Sequence, residues 1–243
     1  MVPVLNEAHV LPQTVPRLWS FVRQHLPGWH VIITIADNGS QDGTAEQARL
    51  LAERLEGVRW WSTPIAGRGA ALRRAWMQSE QDVLAYVDVD LSSDLQALPT
   101  LVERVAEGYD VAVGSRLLPG SQVTRRLHRE VLSRGYSALI AALFAPGFGD
   151  AQCGFKAMSR PAARALLPQV RDGGWFFDTE LLLLAHAAGM RVAEVPVTWV
   201  EDTDSRVRIL PTVAADLAGL ARMKLGGSRT GAQAVRRAWS PGE

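Results

Sequence analysis

Short apolar runs rich in Val and Ile alternate along this chain with longer segments of helical period. That alternation is the strongest constraint on its fold. Residues 2–5, 29–36, 57–62, 83–88, 111–115 and 192–200 read as strands, and 9–25, 43–56, 67–79 and 94–107 as helices. A helix between consecutive strands makes right-handed strand–helix–strand crossovers, so the class is α/β. The expected architecture is Rossmann-like, a mostly parallel central sheet flanked by helices. With 243 residues, one domain over about residues 1–225 accounts for the pattern. Residues 226–243 read as a basic, loosely ordered tail. The first strand is short, as a truncated or misassigned start would leave it.

Composition narrows the partners. The 26 basic against 25 acidic residues leave a net charge of +1, which argues against charge-driven nucleic-acid binding. All but Lys156 and Lys224 of the basic residues are arginine. Cys153 is the only cysteine, which excludes an internal disulfide framework and a multi-cysteine zinc site and suits a reducing compartment. No run reaches the roughly 18–20 apolar residues of a membrane-spanning helix, and the N-terminus lacks a signal-peptide pattern. The expected location is cytoplasmic.

In α/β sheets, ligands bind outside the carboxyl ends of strands, and polar residues gather at those points here. Asn6-Glu7 follow the first strand, Asp37-Asn38-Gly39-Ser40-Gln41-Asp42-Gly43-Thr44 the second, and Asp88-Val89-Asp90 the fourth. Asp37 is placed to hold a nucleoside, with Thr44 capping the next helix; the Asn-Gly pair is equally an ordinary turn. Strand alternation would put the Asp88 and Asp90 carboxylates on one face, either solvated or holding a hard cation such as Mg²⁺ or Mn²⁺ against a diphosphate. Gly67-Arg68-Gly69 opens a helix, a place that favours an anion, but the third glycine of a dinucleotide fingerprint is missing, which excludes an NAD reading. Arg116 closes the fifth strand. Further on, Asp150-Ala151-Gln152-Cys153-Gly154-Phe155-Lys156 and Trp175-Phe176-Phe177-Asp178-Thr179-Glu180 carry more acids. Asp178 is either a helix cap or a general base whose proton affinity is raised by partial desolvation.

Taken in order, Pro3-Val4-Leu5-Asn6-Glu7, the 37–44 segment, Gly67-Arg68-Gly69, Asp88-Val89-Asp90 and Gly114-Ser115-Arg116 resemble the family-2 glycosyltransferases of the GT-A fold. The match covers roughly residues 1–210. The segments around Asp150 and Asp178, Val195-Pro196-Val197-Thr198-Trp199 and Ser205-Arg206-Val207 look like the polyprenyl-phosphate branch, nearest to the dolichyl-phosphate β-glucosyltransferases. The resemblance implies a nucleotide-sugar half over about 1–118 and an acceptor half over 119–225. It also implies inverting transfer of a hexose, glucose favoured, from UDP-glucose or GDP-mannose to a polyprenyl or dolichyl phosphate. By resemblance, Asp90 binds a Mg²⁺ or Mn²⁺ ion directly while Asp88 faces ribose or metal. Pro3, Asn6, Glu7 and Asp37 belong to the nucleotide-sugar site, and Arg68, Arg116 and Arg206 lie near the diphosphate. Asp178 stands slightly ahead of Asp150 as the base, and an anionic phosphate acceptor lessens the need for one.

Two departures stand out. Asn38 replaces the commoner second Asp of its turn, and the membrane spans of some relatives are missing. Residues 136–148, beside Arg125, Arg126, Arg129 and Arg134, have the makeup either of an anchor lying peripherally on the cytoplasmic membrane face or of a helix buried on the sheet. A soluble sugar, glycan or metabolite as acceptor is the alternative, and a non-catalytic nucleotide-sugar binding module the third reading.

Overall fold

The computed structural model describes residues 1–64, 67–201 and 209–239. Strands β1 (Val2–Val4), β2 (Ile33–Asp37) and β3 (Val58–Ser62) pair in parallel, with α1 (Leu11–His25) and α2 (Thr44–Arg54) as crossovers. After α3 (Arg68–Met77) comes β4 (Val83–Val87), then α4 (Leu98–Ala106) and β5 (Val111–Ser115). The Met1 amino group donates to Ala85 O at 2.8 Å and Val87 N–H donates to Met1 O at 3.0 Å, which joins the two sheet halves along β1 and β4. Every strand named so far matches the sequence expectation to within a few residues.

Two strands went unforeseen. β6 (Gln122–Thr124) pairs in parallel with β9 (Thr198–Val200) as a separate ribbon. β7 (Phe155–Ser159) lies between β4 and β5, antiparallel to both, and β8 (Val192–Pro196) extends β5 in parallel. The sequence hid β7 because its five residues, Phe-Lys-Ala-Met-Ser, show no Val/Ile run, and Lys156 in the middle reads as surface. In the fold Lys156 is fully buried. Because β7 runs backwards, its first residue, Phe155, sits opposite Val87 at the end of β4. The 150–154 segment that enters β7 is thereby brought to the carboxyl edge of the parallel strands.

The remaining helices cover the sheet. α5 (Leu127–Phe144) precedes β7, and α6 (Arg160–Leu166) and α7 (Phe177–Ala188) follow it. α7 is buried nearly all round, as its Leu181-Leu182-Leu183-Leu184 run demands. α8 (Ile209–Arg222) continues through a short π-helical turn at Met223–Gly227 into α9 (Ser228–Ala238). The tail expected to be loosely ordered is therefore a helix over 228–238: Val235 is fully buried, and Arg236 caps the end of α7 by donating to Ala187 O and Ala188 O. Its polar composition reads as solvated until α7 supplies the apolar face that it covers. Thr44 also differs from expectation, since it is the first residue of α2, after Gly43 in a left-handed conformation with φ +91°, and its hydroxyl accepts from Glu7 N–H at 2.8 Å. Among the described residues no helix is long and apolar enough to cross a membrane.

Candidate active site

The loops after β1 and β2 are laced together. Asn6, at φ +56°, donates its N–H to Ser40 Oγ at 2.8 Å and accepts from Gln41 N–H at 2.8 Å, while Ala8 N–H donates to Asp42 Oδ2 at 3.2 Å. Pro3 is buried in β1, paired with Ala36. Asp37 is almost fully buried, and its two oxygens accept from Ser40 N–H at 3.1 Å and Ser62 Oγ at 2.6 Å. The carboxylate thus shapes the turn after β2, with Gly39 at φ +95° completing it.

β4 ends at Val87, so Asp88 and Asp90 stand in the turn beyond it rather than on one strand face as alternation implied. Asp88 lies against Gly154, where even a methyl group would collide with its Oδ2 at 1.6 Å. Burial pushes the Asp88 carboxyl up, with Asp90 adding repulsion against the opposing pull of Arg68. Asp90 is exposed and accepts from Ser92 N–H at 2.9 Å through one oxygen. No group of three or more His, Cys, Asp or Glu side chains arranged to hold a metal ion occurs among the described residues. The donor set is nevertheless of the right kind for a magnesium-like ion, which takes one or two carboxylates and completes its shell with substrate phosphates and water.

Arg68, the first residue of α3, links the two acidic segments. Its Nη2 donates to Asp88 Oδ1 at 3.0 Å and to Tyr86 Oη at 3.1 Å, and its Nη1 to Asp178 Oδ2 at 2.5 Å. The buried Nε has no hydrogen-bond partner among the described residues. The flanking glycines serve close packing. A side chain on Gly69 would strike the Phe177 ring, one on Gly67 would meet Gly173 O at 2.6 Å, and Ala70 N–H donates to that same carbonyl at 3.0 Å. The start of α3 is thus partly filled by protein, and Arg68 faces carboxylates.

Asp178, in the first turn of α7, is buried under three donors: Arg68, the Tyr86 hydroxyl at 2.5 Å and Lys156 Nζ at 3.0 Å. Tyr86 and Lys156 are direct cross-strand partners of β4 and β7, so their side chains share the face on which α7 packs. Lys156 Nζ also donates to Ala151 O at 3.2 Å and Cys153 O at 2.5 Å. Burial alone would raise the Asp178 carboxyl. Lys156 and Arg68 outweigh it, aided by the Tyr86 hydroxyl, and hold the group below the usual range. The raised proton affinity expected from desolvation is therefore reversed, because a buried lysine and a buried arginine converge on this residue from distant elements.

A second centre lies at the end of β5. Arg116 grips Asp150 bidentately, Nε to Oδ2 at 2.7 Å and Nη2 to Oδ1 at 2.9 Å, and Arg116 N–H adds a third bond to Oδ2 at 3.0 Å. Asp150 is buried, yet its carboxyl lies below the ordinary value because Arg116 overcomes the desolvation. The Arg116 guanidinium is 5.5 Å and that of Arg125 5.9 Å from the centre of the Trp199 ring. A groove of about 410 Å³ opens beside them, lined by Arg116, Arg125, Arg134 and Glu130 together with Leu117 and Leu127. The exposed large apolar residues of α5 are Leu127, Val131 and Leu132 at its start. The stretch singled out in the sequence turns partly inward instead: Ile140 is buried and the Tyr136 hydroxyl donates to Thr179 Oγ1 at 3.1 Å.

Asp178, Asp150, Arg68, Arg116 and Asp88 are thus brought to one edge of the sheet, with Asn6, Glu7 and Asp37 on the neighbouring loops. Arg206 lies outside the described residues. Lys156, Tyr86, Trp199 and Asp216 were not given roles from sequence; a lysine framed by Cys-Gly-Phe and Ala-Met in an otherwise apolar stretch was the one available signal.

A doubly wound sheet with an acidic pair beyond its fourth strand and arginines at its carboxyl edge is the frame of a nucleotide-sugar glycosyltransferase. Residues 1–167 match the family described as Glycosyl transferase family 2, and the chain belongs to it. Over 212 residues it is 40% identical to glycosyltransferase AglD of Haloferax volcanii, a match that covers 86% of this chain and 34% of AglD. It is 32% identical to the dolichyl-phosphate beta-glucosyltransferase ALG5C of Trichomonas vaginalis, covering 91% of this chain and 69% of that one. To polyprenol monophosphomannose synthase of Mycolicibacterium smegmatis it is 31% identical, covering 83% and 76%. In fold it resembles glucosyl-3-phosphoglycerate synthase from Mycobacterium tuberculosis in complex with UDP, with a TM-score of 0.63 at 20% identity over 94% of this chain and 78% of that one. The GT-A fold expected from the motifs is therefore established.

Proposed function

We propose that this chain transfers a hexose, glucose favoured, from a nucleotide diphosphate sugar to a polyprenyl phosphate at a membrane surface, with inversion. The observation that carries this reading is the groove beside Arg116. Its lining holds Arg116 and Arg125, whose guanidiniums lie over Trp199, together with Leu127, and Val131 and Leu132 are further exposed apolar residues of the same helix. A phosphate attached to a hydrocarbon chain needs both surfaces: fixed positive charge for the headgroup and apolar contact for the chain. The names of the relatives, dolichyl-phosphate glucosyltransferase and polyprenol monophosphomannose synthase, point the same way.

In the transfer, an oxygen of the acceptor phosphate bonds to the anomeric carbon as the bond from that carbon to the diphosphate breaks, and the nucleoside diphosphate leaves with the electron pair. Asp90, with Asp88, would hold the Mg²⁺ or Mn²⁺, whose contribution is to neutralise charge on the departing diphosphate. Arg68 adds fixed charge beside the diphosphate, Arg116 faces the incoming acceptor phosphate, and Asn6, Glu7 and Asp37 hold the nucleoside side of the donor. Asp178 and Asp150 are both locked by cations in the ionised form and serve to aim Lys156, Arg68 and Arg116. An acceptor phosphate already ionised near neutral pH makes a separate base unnecessary.

The test is to incubate the protein with Mn²⁺ or Mg²⁺, a polyprenyl phosphate and radiolabelled UDP-glucose or GDP-mannose, and to follow label into the organic phase. The expected result is lipid-extractable label that vanishes with EDTA and in Asp90→Ala. Label confined to a water-soluble product would replace the lipid acceptor with a soluble one.

A further inference from the structure

The five residues 150–154 touch Arg116, Lys156 and Asp88 and reach Asp178 through Lys156. Asp150 holds Arg116, and the carbonyls of Ala151 and Cys153 hold Lys156, which in turn holds Asp178. Gly154 is the surface against which Asp88 lies. Small movements of this loop would displace all of these groups together. It is fastened at its start by Glu194 of β8, whose carboxylate accepts from Gly149 N–H at 3.0 Å and Asp150 N–H at 3.3 Å.

Its middle is fastened from another element. Gln152 donates its N–H to Asp150 Oδ1 at 3.1 Å and its side-chain Nε2 to Asp216 Oδ2 at 3.0 Å. Asp216 lies on α8 in the buried stripe that continues through Gly219, Leu220 and Met223, positions where a helix normally presents apolar groups. It is 3% exposed, and its Oδ1 has no hydrogen-bond partner among the described residues. Among those residues no cation offsets it; Asp172 and Asp178 are near enough to push its carboxyl up further, beyond the effect of burial. A leucine would suit the stripe better, so the aspartate is not explained by packing.

We propose that Asp216 is a positioning residue for sugar transfer: through Gln152 it pins the 150–154 loop, and so sets Arg116, Lys156 and Asp88 in register with one another. The inference rests on the transferase reading for its activity test, but not for its structural one. Cys153, the only cysteine, lies in the pinned loop, is fully buried, and has its thiol pushed up to about 11 by burial. Its labelling by a thiol reagent therefore reports the loop without any substrate.

The expected result for Asp216→Leu is a rise in Cys153 labelling of about tenfold or more at an unchanged or higher thermal midpoint. The kcat should fall about 10–100-fold, as an ångström-scale misplacement produces, with donor KM nearly unchanged. Gln152→Leu should match it, the double variant should be no worse than the poorer single one, and Asp216→Asn, which still accepts from Gln152, should restore activity to within about threefold. Unchanged labelling and kcat in Asp216→Leu would overturn the proposal. So would an Asn variant as damaged as the Leu variant, which would mean that the charge itself acts, or a loss that follows a fall in midpoint, which would mean a purely structural role. Faster labelling in a protein that transfers to no polyprenyl phosphate would retain the pin and overturn the acceptor; normal labelling in an active enzyme would do the reverse.

Discussion

The two arginine–aspartate centres at the sheet edge are built from the same residue types and differ in how their charge is shared. Arg116 and Asp150 form a closed fork that uses Nε, Nη2 and the arginine's own N–H, leaving Nη1 outside the fork. Arg68 is divided among Asp88, Asp178 and Tyr86, and Asp178 is divided among Arg68, Tyr86 and Lys156. The first centre is a bidentate pair that also takes Gln152 N–H and stands beside a groove; the second is a network in which Arg68 and Asp178 each serve three partners. Both pairs are buried, so removing a partner strands charge in either, but in the network the loss spreads to further members.

The largest expected effect follows from that difference. Lys156→Met removes the ammonium from beneath Asp178 and should cost about 3–5 kcal/mol in chemical denaturation. A loss under about 1 kcal/mol would show that Arg68 and Tyr86 suffice and that the network is redundant. At the other centre, Asp150→Asn, which keeps an acceptor oxygen for Arg116, should cost less stability than Lys156→Met while raising the KM for the phosphate acceptor about 10–100-fold, with donor KM unchanged; an effect on donor KM alone would move Arg116 to the diphosphate side.

The pH dependence sharpens the contrast. Asp178 and Asp150 are held below the ordinary aspartate range, so the stability they contribute is present above about pH 4 and is lost as pH falls through their native values. Asp216 works in the opposite sense. Its carboxyl is raised to about 6, mainly by burial, so the native state binds the extra proton between about pH 4 and 6 and stability declines as pH rises across that window. Asp216→Asn should therefore stabilise the protein at pH 7.5 by roughly 1–3 kcal/mol and flatten its profile between pH 4 and 6. An unchanged profile would place the titration elsewhere. The smallest effect concerns the groove rim: Leu127→Ser with Val131→Ser should reduce flotation with anionic, polyprenyl-phosphate-containing liposomes a few-fold without altering nucleotide binding, and unchanged flotation would shift the lipid contact away from the start of α5.

Much of this arrangement is legible from the chain alone. Six parallel strands follow from apolar runs whose period and spacing leave few topologies, and the polar residues beyond them fall at the carboxyl edge because that is where βα loops emerge. Asp37, Asp88, Arg68 and Arg116 are found in this way. What escapes is whatever depends on residues far apart in sequence. β7 has no strand signature of its own, and its antiparallel insertion moves the 150–154 loop into the site. Asp178 reads equally as a cap or a base until Lys156 arrives from β7 and Arg68 from α3. Asp216 carries no motif, and the helix over 228–238 reads as solvated until α7 gives it a surface to cover.

Fold class, family and the strand ends that carry chemistry are thus readable from the chain, because hydrophobic period and local turn residues act over a few positions. Which carboxylates are ionised, which cations hold them and which loop they share emerge only in the folded molecule. Those properties depend on desolvation and on charges within a few ångströms, and such distances exist only after strands more than sixty residues apart have been laid side by side.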